Sequence, residues 1–182
     1  MLKNIFNQIR ILYISLFTIA LLSFSYAQQY KSGIRTSLDQ SRKGNTDLHF
    51  YEFFIMTDYP INFIKDNLSD LQLKLEYTIG LLEDDSTNSL LFSFGPVAEF
   101  NIYDNKIFLS GGISPSFMTK HTFNNLELGG SFNFISQIGV MFSPIEYIAI
   151  GYRFEHISNA GFYENNPGIN IHFWVIRYNI KN

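Results

Sequence analysis

The segment LQLKLEYTIGL repeats with a period of two. Leu71, Leu73, Leu75, Tyr77, Ile79 and Leu81 fall in one phase, and Gln72, Lys74, Glu76, Thr78 and Gly80 in the other. That period puts the two sets on opposite faces of a β-strand, one apolar and one fit for water. SLLFSFGPVAEFNI does the same, with Leu90, Phe92, Phe94, Phe100 and Ile102 opposed by Ser93, Gly95, Glu99 and Asn101. Both runs exceed the roughly five or six residues usual in globular sheets. They match the roughly 9–11 residues of a tilted strand that crosses a bilayer.

Six more segments read as strands, roughly 30–38, 47–57, 106–117, 131–142, 146–157 and 168–180, which makes eight. YDNK (103–106) and SPIE (143–146) are expected as tight turns, whereas DQSRKGNT, LEDDSTN, TKHTFNNLELGG and SNAGFYENNPG read as longer polar loops. Short turns at one end and longer loops at the other is the layout of an outer-membrane barrel. The segment 58–70 falls where a short turn is expected and is too long for one. The expected fold is therefore all-β, an eight-stranded antiparallel transmembrane β-barrel. A soluble lipid-binding barrel would carry the same alternation with its apolar face inward. The polar face favours the membrane form, because Glu52, Lys74, Glu76, Glu99, Arg153, Glu155 and Arg177 can pair across a narrow lumen. An eight-stranded barrel leaves room inside for little more than its own side chains.

The first 27 residues have the layout of a secretory signal: basic Lys3 and Arg10, an apolar run from Ile11 to Leu22, and SYA ending at Ala27. That run is short of the roughly 20 residues a membrane helix needs. Its removal would leave 28–182 as one barrel domain, with 11 basic residues against 16 acidic ones. A net negative chain lacks the basic footprint of nucleic-acid binding. There are no cysteines, so no disulfide framework holds the exported chain. The 19 Phe and 11 Tyr suit a lipid-facing wall, and the absence of a second long apolar run excludes a helical membrane protein.

Candidate chemistry lies in GYRFEHISNAGFYENNPGIN, residues 151–170. Alternation puts His156 and Ser158 in phase with Ile148, Ile150, Tyr152 and Phe154, on the lipid side, while Arg153 and Glu155 point inward. An antiparallel hairpin brings Asn170 near His156. Polar groups facing hydrocarbon are costly unless paired, so the cluster either performs chemistry or lies level with the headgroups. A Ser–His pair does acyl chemistry when the imidazole takes the hydroxyl proton during attack and then returns it to the leaving group. Asn159 and the amides near Ala160 and Gly161 are in place to meet an oxyanion.

HISNAG followed by NPGIN resembles the signature of the lipid A 3-O-deacylase family, bacterial outer-membrane acyloxyacyl hydrolases. These are eight-stranded barrels of Gram-negative bacteria with a His-x-Ser-Asn motif on the penultimate strand. The resemblance covers the leader, the strand layout and the last hairpin. It implies an outer-membrane esterase that removes an acyl chain at position 3 of lipid A or lipopolysaccharide, without a cofactor. Ser158 would then be the nucleophile, His156 the general base, Asn159 an oxyanion donor and Gly161 a source of an amide. Where the family has a Glu 14 positions after the His, this chain has Asn170. An Asn can orient an imidazole through its carbonyl oxygen but cannot offset imidazolium charge. Glu164, in the loop, is the alternative orienter. The rival reading is a non-catalytic structural or adhesive barrel that has lost its acid.

His49, His121 and His172 have no metal-gathering spacing, so no metal site is expected. Gly111–Gly112 and Gly129–Gly130 read as strand or loop glycines, because no helix follows them to make a phosphate loop. The partners implied are lipid A and outer-membrane lipids, and a homodimer is compatible with the sequence.

Overall fold

The computed structural model describes residues 29–38, 41–43, 46–58 and 70–181. The expected leader, 1–27, and nearly all of the 58–70 connection lie outside these described residues. Eight long strands build the wall: Gln29–Ser37 (β1), Thr46–Asp58 (β2), Leu71–Glu83 (β3), Asn88–Tyr103 (β4), Ile107–Met118 (β5), Phe132–Ile145 (β6), Ile148–Ser158 (β7) and Ile169–Lys181 (β8). Each pairs antiparallel with its neighbour in sequence, and β1 pairs with both β2 and β8, which closes the sheet. Gly33, for example, lies opposite Phe54 on one side and Arg177 on the other. Closure matters because a lipid-exposed sheet edge would leave backbone N–H and C=O groups without partners.

At one end the turns are tight. Tyr103 O accepts a hydrogen bond from Lys106 N at 2.7 Å, and Asp104 and Asn105 between them have φ of 44° and 54°. Positive φ at both central residues is the type I′ geometry that fits the twist of a hairpin. The second turn lies later than SPIE: β6 continues through Ile145, and Glu146–Tyr147 make the turn. Ile145, past Pro144, still pairs with Ile148, so the ladder outlasts the proline signal.

At the other end two expected loops prove more ordered than their polarity suggested. LEDDSTN shrinks to a turn over 84–87, where Asp84 Oδ1 accepts from Ser86 N at 2.8 Å and Thr87 N at 2.5 Å. TKHTFNNLELGG contains a two-stranded ribbon, Thr122–Phe123 with Leu126–Glu127, whose Phe123 and Leu126 are buried. A short strand, Ser41–Lys43, pairs antiparallel with the first residues of β2, Thr46 to Leu48.

The alternation sorts the faces as expected. Phe92, Ile138, Trp174 and Ile176 are exposed on the outer wall, while Lys74, Glu76, Glu99 and Arg153 are each 5% exposed or less. Leu75 shares the outward phase of β3 yet is only 3% exposed, so protein rather than lipid covers it.

The lumen is layered. Near the loops it is apolar: Phe50, Leu82, Leu91, Met118, Ile157 and Phe173 pack beneath the ribbon, with the Phe50 and Phe173 rings 5.5 Å apart. Each such side chain removed from water is worth about 1.5–3 kcal/mol. Below this plug lies an ionic layer. Arg35 Nε meets Glu52 Oε2 at 2.5 Å, and its NH1 meets Glu76 Oε1 at 3.0 Å. Arg153 grips the same Glu76 with both terminal nitrogens, at 2.7 and 2.9 Å, and also bonds Gln137. Lower still, Glu99 joins Lys31 and Arg177. The partner of Lys74 is Asp58, at the edge of the awkward 58–70 segment, rather than one of the strand glutamates.

Because Glu76 serves two guanidinium groups in the buried lumen, Glu76→Leu should destabilise the barrel by about 3–5 kcal/mol, the cost of leaving buried charge unpaired. Denaturant titration of the folded protein in detergent, read by the gel mobility of the intact barrel, measures it. A loss under about 1 kcal/mol would show that water or neighbouring carboxylates replace Glu76.

Candidate active site

The register of the last two strands builds the site. His156 lies opposite Asn170 on β8 and opposite Ser136 on β6, and Ser158 lies opposite Phe134. All five share the outward phase. His156 Nδ1 and Asn170 Oδ1 are 2.6 Å apart, so with Nδ1 protonated the ring donates to the amide oxygen. That bond directs Nε2, the nitrogen able to accept a proton, away from Asn170. Space beside it depends on Gly168, whose φ is +58°, because a Cβ there would lie 2.9 Å from His156 Cε1 and 3.4 Å from Nε2.

Ser158 follows on the same face as the last residue of β7. Among the described residues no hydrogen bond joins its hydroxyl to His156. The structure thus brings His156 and Asn170 together and leaves Ser158 beside them, unengaged. Glu164 is exposed in the loop and, among the described residues, makes neither a hydrogen bond nor an ion pair with His156.

The residues expected at the oxyanion are committed to the loop. Asn159 is fully buried, in the inward phase. Its Nδ2 donates to Asn165 O at 2.7 Å, and its Oδ1 accepts from Gly161 N at 2.9 Å. Its own backbone N–H donates to Asn166 Oδ1 at 3.0 Å. Phe162 N donates back to Asn159 O at 3.0 Å across Ala160 and Gly161, whose φ values are 51° and 83°. Asn159 therefore ties off a tight turn directly after Ser158. Of the amides in that turn, Ala160 N–H has no hydrogen-bond partner among the described residues.

The same loop is anchored sideways. Asn165 Nδ2 donates to Glu127 O at 3.1 Å in the ribbon segment, and a Cβ on Gly130 would strike the ring of Tyr163. Phe162 packs against Phe132 and Phe134, each pair of ring centroids 5.9 Å apart, which makes an aromatic wall beside Ser158. On the β8 side, below Asn170, His172 Nδ1 bonds Tyr152 Oη, and its ring packs tilted against Phe154 with centroids 5.2 Å apart. Sequence reasoning missed Gly168, Ser136 and the His172–Tyr152 pair. Ser136 was legible as the one polar residue in the outward phase of FNFISQIGV.

A serine hydroxyl beside an imidazole that is bonded to an amide oxygen, on a lipid-facing wall and next to a hydrogen-bonded turn, are groups suited to acyl transfer at a membrane surface. The family model described as lipid A 3-O-deacylase (PagL) matches residues 51–179. The chain belongs to that family. Lipid A deacylase PagL of Bordetella bronchiseptica is 33% identical over 66 residues, which is 36% of this chain and 37% of that protein's length. The match thus spans little more than a third of the curated relative. The crystal structure of the outer membrane enzyme PagL superposes with a TM-score of 0.62 at 21% identity, covering 81% of this chain and 97% of that one. The eight-stranded barrel is thus the fold of a solved PagL structure.

Asn159 holds both flanks of the turn, so Asn159→Ala should free the Gly161 amide and take the donor from Asn165 O, at about 0.5–1.5 kcal/mol for each part-buried hydrogen bond lost. Hydrogen exchange at Gly161 should speed up at least tenfold while the strand amides keep their protection. Unchanged exchange at Gly161 would mean that the turn holds itself.

Proposed function

We propose that this chain is an outer-membrane serine esterase that hydrolyses the ester-linked acyl chain at position 3 of lipid A, in the outer leaflet. The single observation that carries the reading is the His156–Asn170 hydrogen bond on the outer face of the barrel, with Ser158 beside it. Family membership supports the substrate class, and the exposed apolar wall supports the membrane setting. Export by a signal peptide at 1–27 to the outer membrane of a Gram-negative bacterium belongs to the same reading. No cofactor enters it.

In this mechanism His156 Nε2 takes the Ser158 hydroxyl proton as Oγ attacks the ester carbonyl. The proton then passes to the sugar oxygen as the acyl bond breaks, and water repeats the cycle to free the fatty acid. Asn170 holds the tautomer in which Nε2 is the base. The oxyanion meets backbone amides of the turn: Ala160 N–H, which is unengaged, and Gly161 N–H once it leaves Asn159 Oδ1. Asn159 acts through the turn that it holds, since its own amide is spent on Asn165 O and Leu128 O. The rival reading, a barrel that keeps the hairpin without turnover, is favoured by the neutral Asn170 in the acid's place.

Mass spectrometry of lipid A incubated with the purified full chain in detergent separates the two readings. Loss of one ester-linked acyl chain supports the esterase, and unaltered lipid A supports the rival. Ser158→Ala and His156→Ala should each abolish the release while the barrel remains folded, because neither side chain reaches the lumen. Asn170→Glu should raise kcat about tenfold, since a charged hydrogen bond to the imidazolium exceeds a neutral one by about 1–1.5 kcal/mol. A rate unchanged by Asn170→Glu would show that Asn170 does not orient the working base.

A further inference from the structure

Phe162 takes no part in the mechanism above. It follows the turn after Ser158, and its backbone N–H donates to Asn159 O at 3.0 Å, which fixes where the ring leaves the loop. The ring meets Phe132 and Phe134 of β6, with centroids 5.9 Å from each, and those two rings lie 5.2 Å apart. Phe134 is the cross-strand partner of Ser158, so this aromatic triangle adjoins the candidate nucleophile. Even so, Phe162 is 67% exposed, more than any other large apolar residue among those described.

Its height on the barrel makes that exposure informative. β7 ends at Ser158 and β8 begins at Ile169, so Phe162 stands in the loop, on the headgroup side of Ser158. Aromatic residues at that level are commonly Trp and Tyr, whose polar tips stay wet. Phe has no such tip, and an exposed ring of this size gains when something apolar covers it. The orientation of the ester indicates what does. An amphiphile bound at Ser158 sends its acyl chain into the leaflet along the apolar wall below, so the alcohol half of the ester lies on the loop side. For position 3 of lipid A that half is a glucosamine ring. A pyranose of this configuration carries its polar groups around the rim and axial C–H groups on its two faces. Those C–H groups are slightly positive and suit the negative face of an aromatic ring.

Resting on the esterase reading, we propose that Phe162, backed by Phe132 and Phe134, is the platform on which the glucosamine ring of the substrate stacks. The sugar face lies on Phe162 while the ester oxygen is presented to Ser158. Recognition of the leaving alcohol accordingly requires a ring with C–H faces, whatever acyl chain it carries.

The test uses the purified full chain in detergent with two decanoate esters in the same micelles. One is methyl 3-O-decanoyl-N-acetyl-β-glucosaminide, and the other is 1,3-dimethoxypropan-2-yl decanoate, a secondary ester flanked by oxygens but without a ring. The unaltered protein should favour the sugar ester in kcat/KM. Phe162→Ala should lower that preference about five- to tenfold, chiefly through KM for the sugar ester, the worth of one aromatic contact. Phe162→Trp, which keeps an aromatic face, should preserve it, and Phe162→Leu, which keeps only apolar bulk, should not. A preference retained by Phe162→Ala or Phe162→Leu, or absent from the unaltered protein, overturns the inference while leaving the esterase reading in place. So does an equal fall on both esters, which would make Phe162 a membrane anchor or a prop of the turn. Hydrolysis of neither ester, with lipid A also untouched, removes the esterase reading and this inference with it.

Discussion

The ladder between β1 and β8 is the contact on which the rest of the structure depends. Until it forms, two strands present open edges to lipid, where no water can satisfy them. Side chains reinforce it from inside. Arg35 leaves β1 to reach Glu52 on β2 and Glu76 on β3, and Arg153 reaches the same Glu76 from β7. Lower down, Lys31 of β1 and Arg177 of β8 share Glu99 of β4. Closure of the backbone and neutralisation of the lumen are thus one event. Arg35 completes its ion pairs only when β1 is docked, and β1 stays docked partly because Arg35 would otherwise be an unpaired buried charge.

The candidate site borrows that rigidity. Asn170 stands on a closing strand and His156 on the strand beside it, so their hydrogen bond is set by ladder register rather than by loop conformation. Sites on strands hold their geometry better than sites on loops. The part that must be a loop, the turn after Ser158, is made stiff by other means: Asn159 bonds on three sides, and Asn165 is tied to the ribbon segment. The apolar plug under the ribbon fixes the floor of that loop, which links the hydrophobic packing at the lumen mouth to the placement of the amides.

Much of this was legible from the period of two. It placed Arg153 and Glu155 inward and His156, Ser158 and Asn170 outward on adjacent strands, because phase along a strand is a local property. It did not show the apolar upper lumen, because Leu48, Phe50 and Leu82 occupy the same inward phase as Glu52 and Glu76, and alternation does not tell height along the axis. Nor did it pair Lys74 with Asp58, which lies opposite it at the far end of β2, since partner choice depends on inter-strand register. The motif makes Asn159 an expected oxyanion donor, while its inward phase, opposite to that of Ser158, matches its burial within the turn.

Asn170, the neutral orienter of the proposed mechanism, fits the site's surroundings. A carboxylate at the position of Asn170 would be charged at rest on a wall that faces hydrocarbon, and removing a carboxylate from water costs several kcal/mol. The amide of Asn170 adds no formal charge at that position. In the proposed mechanism the proton that moves to His156 creates an ion pair, imidazolium beside oxyanion, each partly compensating the other over a few ångströms. In that proposal Asn170 lowers the barrier less than an acid would, but it places no carboxylate against lipid. A site poised at the boundary between headgroup and acyl chain can trade in that direction, because the low dielectric that penalises a resting carboxylate also strengthens the attraction within the transient pair.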